Sequence, residues 1–240
     1  MRVLVIEHEA ACPPAHVGTW LEEAGAELEV CRPWAGDALP SALAPYDAVL
    51  VLGGSMGADD DALHHWLGPV KELVRVAVAD DVPLLGICLG HQLIASALGG
   101  TVVRNPRGQQ VGVLDLGWST GATDDALVGE VAGGPARGVQ WNDDIVVGLP
   151  DGAVVLARTP DDEVQVVRYA GRAWGVQLHP EVDEHVLKSW AEGDQVAHQE
   201  RGLDQAALLG SVADARQELD DTWRPVLHRF VDLAGPGDGR

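Results

Sequence analysis

The chain has 240 residues, 46% of them hydrophobic, and its 37 Asp and Glu outnumber its 16 Lys and Arg, which gives a net charge of -21 at pH 7. A chain of this length can bury a sizeable core and form one large domain or two small ones. A surface with this excess of negative charge repels phosphate groups, so we expect neither nucleic-acid nor membrane partners.

The three cysteines form no C-x-x-C pair, which argues against a disulfide framework and against a zinc site. An odd number of cysteines suits a reducing compartment, so we expect a cytoplasmic protein with no bound metal. The N-terminal run RVLVI is followed at once by acidic residues and predicts a strand, not a signal peptide. Residues 82–103 lack charged side chains and could span a bilayer, but their glycines, proline and polar residues favour a strand, a helix and a strand in a core.

In the first half of the chain, apolar runs typical of buried strands alternate with stretches of helical periodicity. The predicted strands are residues 2–6, 27–31, 47–53, 82–87 and 101–104, and the predicted helices are 16–25, 62–80 with an interruption near Gly68 and Pro69, and 89–98. This alternation predicts an α/β fold with a doubly wound, mostly parallel sheet and helices on both faces. In such sheets, functional residues collect beyond the carboxyl ends of the strands.

The second half contains short strands separated by Gly, Pro and Asp, which predict an antiparallel extension of the sheet. These predicted strands are VGVLDL, GVQWN, AVVLAR, EVQVVRY and AWGVQLH. From Val182 onward the pattern is helical in two pieces, 182–193 and about 203–233, with a kink near Pro225. We expect a main domain over residues 1–194, a helical C-terminal extension over 195–234 packed on the same domain, and a loose tail over 235–240.

Cys88 lies in the stretch LLGICLGHQLIA, at the junction of a predicted strand and a predicted helix. Most buried cysteines are inert, but a cysteine at such a turn has the geometry of a nucleophile elbow. Gly86 and Gly90 leave room for the backbone and the helix to approach closely. The helix N-terminus favours the thiolate, and the N–H of Leu89 would face the oxygen of an attacked carbonyl group.

A nucleophilic cysteine needs a base, and the base needs a group that orients it. His179 is predicted to end the strand AWGVQLH, and it is followed by Pro180 and Glu181. Residues i and i+2 of an extended segment project to the same side, so Glu181 can reach the imidazole and fix its tautomer. The alternative without a catalytic role is that Cys88 is a buried core thiol and that His179 is a strand-end histidine whose hydrogen bonds are satisfied by the fold.

The third motif is LGGSMG, residues 52–57, at the end of the third predicted strand. Adjacent glycines there let a backbone N–H turn inward, so the Gly53-Gly54 turn would complete an oxyanion hole with Leu89. The alternative is a plain glycine turn, or a phosphate loop in a flavodoxin-like binding module. The acidic charge and the lack of nearby basic residues argue against that module.

The motifs GICLGHQ, GVQLHPE and GGSMG resemble those of the class I (triad) glutamine amidotransferase family, in the family's order and over roughly residues 1–190. The chain is most similar to stand-alone members that resemble the glutaminase domain of GMP synthetase. The resemblance implies that Cys88, His179 and Glu181 cleave the side-chain amide of glutamine through a glutamyl thioester, without a cofactor. It further implies oxyanion donors at Gly54 and Leu89, and substrate contacts at Gly53, Gln92 and Asn142.

Asn142 departs from the family pattern, because similar stand-alone members usually have a histidine at this place in the segment QWNDD. A changed pocket loop favours a free-standing hydrolase of a γ-glutamyl compound, such as a γ-glutamyl peptide, over an amidotransferase subunit that serves a separate synthase. A catalytically silent or regulatory binding module is the third alternative. It is disfavoured because nucleophile, base and orienting carboxylate are all present.

Overall fold

A computed structural model describes residues 1–235 of the chain. The strands are β1 (Arg2–Ile6), β2 (Glu27–Cys31), β3 (Ala48–Val51), β4 (Leu84–Ile87), β5 (Thr101–Arg104), β6 (Gln110–Trp118), β7 (Ala136–Asn142), β8 (Asp144–Gly148), β9 (Val154–Arg158), β10 (Val164–Ala170) and β11 (Ala173–Val176). The helices are α1 (Ala15–Glu23), α2 (Leu67–Ala79), α3 (Leu89–Ala97), α4 (Glu184–Gly193), α5 (Gln195–Glu200) and α6 (Gln205–Ala234).

Nine strands form one sheet in the order β2-β1-β3-β4-β11-β10-β9-β6-β7. The first five in this order pair in parallel, and the remaining four continue the sheet with antiparallel pairing. The predicted fold class, a mostly parallel sheet with an antiparallel extension and a helical C-terminus, is confirmed. The pairing of β4 with β11 matters most for function, because it brings segments about 90 residues apart to one sheet edge.

Helices cover both faces of the sheet. Val3 and Val5 point into a core cluster that includes side chains of α1 and α6, whereas Leu4 and Ile6 point into a second cluster with side chains of α2 and α3. The alternation along β1 follows from the two-residue repeat of a strand. Within residues 1–235, no helix combines the length and hydrophobicity needed to cross a membrane.

Several predicted elements differ from the structure. The helix predicted over 62–80 begins only at Leu67, so Pro69 falls in its first turn, where a missing N–H breaks no helical hydrogen bond. β5 pairs with β8 in a separate two-stranded sheet, and β8 was not predicted. Among residues 183–235, α4, α5 and α6 make three helices where two were predicted, and α5 lies between the other two. The predicted loose tail 235–240 lies, apart from Gly235, outside the described residues.

Candidate active site

Cys88 occupies the turn between β4 and α3 in a strained conformation, with φ 49° and ψ -105°. Such a positive φ is uncommon for a residue with a side chain and persists only where its surroundings enforce it. Here the enforcement comes from close packing: a Cβ at Gly86 would lie 2.5 Å from the carbonyl carbon of Gly90, and a Cβ at Gly90 would overlap the carbonyl group of Val51. The predicted elbow geometry is therefore present.

His179 and Glu181 form a buried pair, with 2.6 Å between His179 Nδ1 and Glu181 Oε1. The strand predicted to reach His179 ends at Val176, but the His179 N–H still donates to the carbonyl of Val139, at 2.8 Å. The two side chains are 2% and 1% exposed. Burial lowers the pKa of His179, but Glu181 and Cys88 outweigh it and raise this pKa to about 10. The imidazolium form of His179 is thus favoured.

The glycine turn after β3 lies against both the Cys88 and the His179 side chains. A Cβ at Gly53 would lie 3.2 Å from His179 Cε1 and 3.6 Å from Cys88 Cβ, so a side chain there would crowd both residues. A Cβ at Gly54 would lie 2.9 Å from Leu89 Cδ2. Leu89 is the first residue of α3, and its N–H therefore has no helical carbonyl to bond. The structure thus brings Gly54 next to the Leu89 side chain.

Gln92 and Asn142 share one hydrogen-bond acceptor, the carbonyl of Asp144. Gln92 Nε2 donates to it at 3.0 Å and Asn142 Nδ2 at 3.1 Å. Asn142 is 4% exposed, and its Oδ1 has no hydrogen-bond partner among the described residues. Both side chains line a cavity of about 470 Å³ that reaches Cys88. The predicted substrate residues therefore lie on one wall of a cavity beside the thiol.

Sequence reasoning missed two tryptophans that border the site. The Trp190 ring on α4 contacts the His179 ring edge-on, with 4.7 Å between centroids, and Trp190 Nε1 donates to the carbonyl of Ala11 at 2.8 Å. Trp141 stands 6.1 Å from Trp190, centroid to centroid, and donates from Nε1 to Asp194 Oδ2 at 2.8 Å. The only sequence signal is the tryptophan next to Asn142 in QWNDD.

Glu9 holds the glycine turn in place. Its Oε1 accepts a hydrogen bond from the Ser55 N–H at 2.8 Å, and its Oε2 accepts from Ser55 Oγ at 2.9 Å. Cys12 Sγ also donates to Glu9 Oε1, at 3.3 Å. Burial and the nearby Glu9 and Glu181 carboxylates raise the pKa of the Cys12 thiol. Cys12 therefore lies near the site as a neutral thiol.

Chemically, a thiol on a helix N-terminus, an imidazolium and a buried carboxylate form the constellation of a cysteine-dependent acyl-transfer hydrolase. Residues 19–189 match the model of the class-I glutamine amidotransferase family, and the chain belongs to that family. It is therefore an enzyme of the type that hydrolyses the side-chain amide of glutamine. The family named from the three motifs is confirmed.

Individual relatives cover the chain to different extents. The glutamine amidotransferase-like protein YfeJ of Salmonella typhimurium is 27% identical over 238 residues, 97% of this chain and 96% of that protein. The GMP synthase of Aeropyrum pernix is 35% identical over 71% of this chain, which spans about a third (32%) of that longer protein. The crystal structure of a glutamine amidotransferase from Thermotoga maritima superposes with a TM-score of 0.86, at 27% identity, and covers 97% of this chain and 98% of its own.

Proposed function

We propose that Cys88 is the nucleophile, His179 the general acid and base, and Glu181 the group that orients His179, in the hydrolysis of a glutamine or γ-glutamyl amide through a glutamyl thioester. The observation that carries the proposal is the strained elbow of Cys88 beside the buried His179–Glu181 pair. Strain of this kind costs free energy and is typical of functional sites.

The reaction proceeds in two halves. The Cys88 sulfur bonds to the amide carbon, the C–N bond breaks, and the leaving nitrogen takes the proton that His179 received from the thiol. Water then attacks the thioester, gives its proton to His179 and releases glutamate and the thiol. His179 Nε2 is buried and has no hydrogen-bond partner among the described residues, which supports its assignment as the atom that moves this proton.

The backbone N–H groups of Gly54 and Leu89 stabilise the oxyanion that forms in each half-reaction. Donors that are fixed before the reaction need no reorganisation, and removing one such donor typically costs about 10²–10³-fold in rate. Glu9 contributes indirectly, because its two hydrogen bonds to Ser55 fix the turn that carries Gly54. Glu9 is thus a positioning residue.

The glutamyl part of the substrate lies against Gly53, Gln92 and Asn142. Asp60, Asp143, Asp144 and Arg104 line the cavity of about 470 Å³ that holds Gln92 and Asn142. Arg104 pairs with Asp143 at 3.0 Å, so the carboxylates of Asp60 and Asp144 are the ones that favour the α-ammonium group of the glutamyl moiety. The unpartnered Asn142 Oδ1 is a further acceptor for an N–H donor of the substrate. These assignments support a substrate that carries an amino acid head group.

The decisive experiment is covalent labelling with a diazo-ketone analogue of glutamine, followed by intact-mass analysis and peptide mapping. We expect a single label on Cys88 in the native chain, and none in Cys88→Ser. Burial raises the pKa of both other thiols, which also makes Cys12 and Cys31 slow to react. Preferential labelling of Cys12 or Cys31 would overturn the assignment.

The alternative to a free-standing hydrolase is a glutaminase subunit that performs the same chemistry and passes its ammonia to a separate synthase. A glutamine-hydrolysing GMP synthase subunit of Halobacterium salinarum is 37% identical over 57% of this chain and 67% of its own length, which supports this context. Unused ammonia is wasteful, so a partner-dependent chain should be a slow glutaminase alone and speed up when the synthase is added. A self-sufficient hydrolase should be fast alone, and steady-state assays with and without the candidate synthase separate the two.

A further inference from the structure

Two cavities meet at Cys88. The larger one, about 470 Å³, holds Gln92, Asn142 and the aspartates described above. A smaller one, about 250 Å³, extends to the His179 side and is bordered by Cys12 and Trp190, and Trp141 borders both cavities. Cys88 therefore lies where the two cavities meet, and the two cavities are lined by different kinds of side chain.

The direction of the reaction decides which part of a substrate enters each cavity. In the proposed function, His179 gives its proton to the leaving nitrogen, so that nitrogen must lie against the imidazole. Any substituent on this nitrogen then extends into the smaller cavity. The plain NH₂ group of glutamine would leave nearly all of this cavity unfilled.

The walls of the smaller cavity favour an apolar substituent. Trp190 and Trp141 present ring surfaces, and their N–H groups are used by the carbonyl of Ala11 and by Asp194 Oδ2. The Cys12 thiol donates to Glu9, and both oxygens of Glu9 bond to Ser55. With these polar atoms already satisfied, the remaining surface gains most from contact with alkyl or aryl groups.

We propose that this cavity is a leaving-group subsite for the apolar alkyl or aryl group of an N-substituted γ-glutamyl amide. The inference rests on the proposed function and names its substrate class. The Cys88 sulfur bonds to the γ-glutamyl carbon, the C–N bond breaks, and the amine leaves with the proton from His179. Water then converts the thioester to glutamate and free thiol, so the products are one amine and one glutamate.

The test compares kcat/KM for glutamine, γ-glutamyl-methylamide, γ-glutamyl-butylamide and γ-glutamyl-anilide. We expect kcat/KM to rise at least about tenfold from the methylamide to the butylamide, because each added methylene is buried against the tryptophans. Equal values for these two amides, in a chain that cleaves glutamine, would overturn the subsite and leave the proposed function standing. Failure to cleave any of the four, together with no label on Cys88, would overturn both.

Two cavity-filling variants sharpen the test. Ser189 on α4 and Ala11 are exposed residues that both border the smaller cavity. Ser189→Leu and Ala11→Leu should each lower the ratio of kcat/KM for butylamide over glutamine at least about tenfold. Glu192→Leu, an exposed change on the same helix that does not border the cavity, is the matched control and should leave this ratio unchanged. An unchanged ratio in both filling variants would contradict the proposal.

Discussion

The pKa of His179 is raised even though its imidazole is buried. Burial alone lowers its pKa, whereas the Glu181 carboxylate and Cys88 raise it, and the net pKa is about 10. An opposite charge in hydrogen-bond contact typically shifts a pKa by about 1–3 units. Glu181 therefore both orients the ring and extends the pH range over which His179 can act as an acid.

We expect Glu181→Gln to move the alkaline limb of the pH profile of kcat/KM to lower pH by at least about one unit. The amide keeps the shape and a hydrogen-bond acceptor but removes the negative charge, so burial then dominates and the imidazolium loses its proton earlier. Asp183→Asn is the control, because Asp183 is two residues away, caps α4, and can be replaced by another good capping residue. An alkaline limb that stays in place in Glu181→Gln would show that His179 does not set it.

Asn142 lines the cavity that we assign to the glutamyl group, and every candidate substrate carries a glutamyl group. We expect Asn142→Leu to raise KM about tenfold for glutamine and for γ-glutamyl-butylamide alike, equivalent to about 1.4 kcal/mol. The reason is that the leucine removes the buried Oδ1 acceptor from the cavity wall. Asn142→His, which restores a polar ring, should lose less. A change for only one of the two substrates would place Asn142 on the leaving-group side instead.

The three motif residues could be predicted because each lies in a short local pattern. Cys88 is flanked by its two glycines, and Glu181 follows His179 by two positions. Glu9, Trp190 and Asp194 are about 80 to 110 residues from Cys88 in the sequence, and no local pattern connects them to it. Glu9 follows β1, whereas Trp190 and Asp194 lie in α4 and directly after it, and how these segments meet at the sheet edge is not encoded in sequence periodicity.

At the scale of elements, the parallel strands were predictable because strands buried on both faces are nearly continuous apolar runs. β3 and β4 are buried along their whole length. β8 was missed because it follows β7 after a single residue and pairs outside the main sheet, with β5. The start of α2 was placed too early because turn residues before Leu67 share its apolar pattern.

Replacing glycine with alanine should have opposite effects on stability at two helical positions, one in α3 where the helix packs tightly against β3, and one in α6 where there is space. Gly90→Ala should destabilise the chain by at least about 1–3 kcal/mol, because its Cβ would overlap backbone of Val51 that cannot move aside. Gly210→Ala in α6 should stabilise it by about 1 kcal/mol, because a Cβ there meets no atom within 4 Å and alanine favours the helix. Urea unfolding of both variants measures the difference. Equal midpoints would show that the close approach at Gly90 is not tight.

On the scale of the whole molecule, α6 completes the core on one face of the sheet. Leu219, Trp223 and Phe230 are at most 1% exposed and belong to the same cluster as Val3 and Val5 of β1. Trp223 Nε1 also donates to the carbonyl of Arg137 in β7, at 2.8 Å. We therefore propose that residues 1–194 and the helical extension 195–234 fold as a single cooperative unit.

This proposal predicts that the chain unfolds in a single transition. A destabilising substitution in α6 should therefore lower the urea midpoint equally for every spectroscopic or chemical probe. Phe230→Ala should cost about 3–5 kcal/mol, because it leaves a cavity in the shared core. The urea midpoint should fall equally by far-UV circular dichroism, which reports all helices, and by the rate of Cys88 labelling, which reports the distant elbow. Val196→Ala on α5, where the side chain is 68% exposed, is the control and should change stability by less than about 0.5 kcal/mol. A different result is possible for Phe230→Ala: helix could be lost at low urea while Cys88 stays protected from the label. That result would show that α6 unfolds independently, because a shared core cannot lose α6 and still hold the Cys88 turn in place.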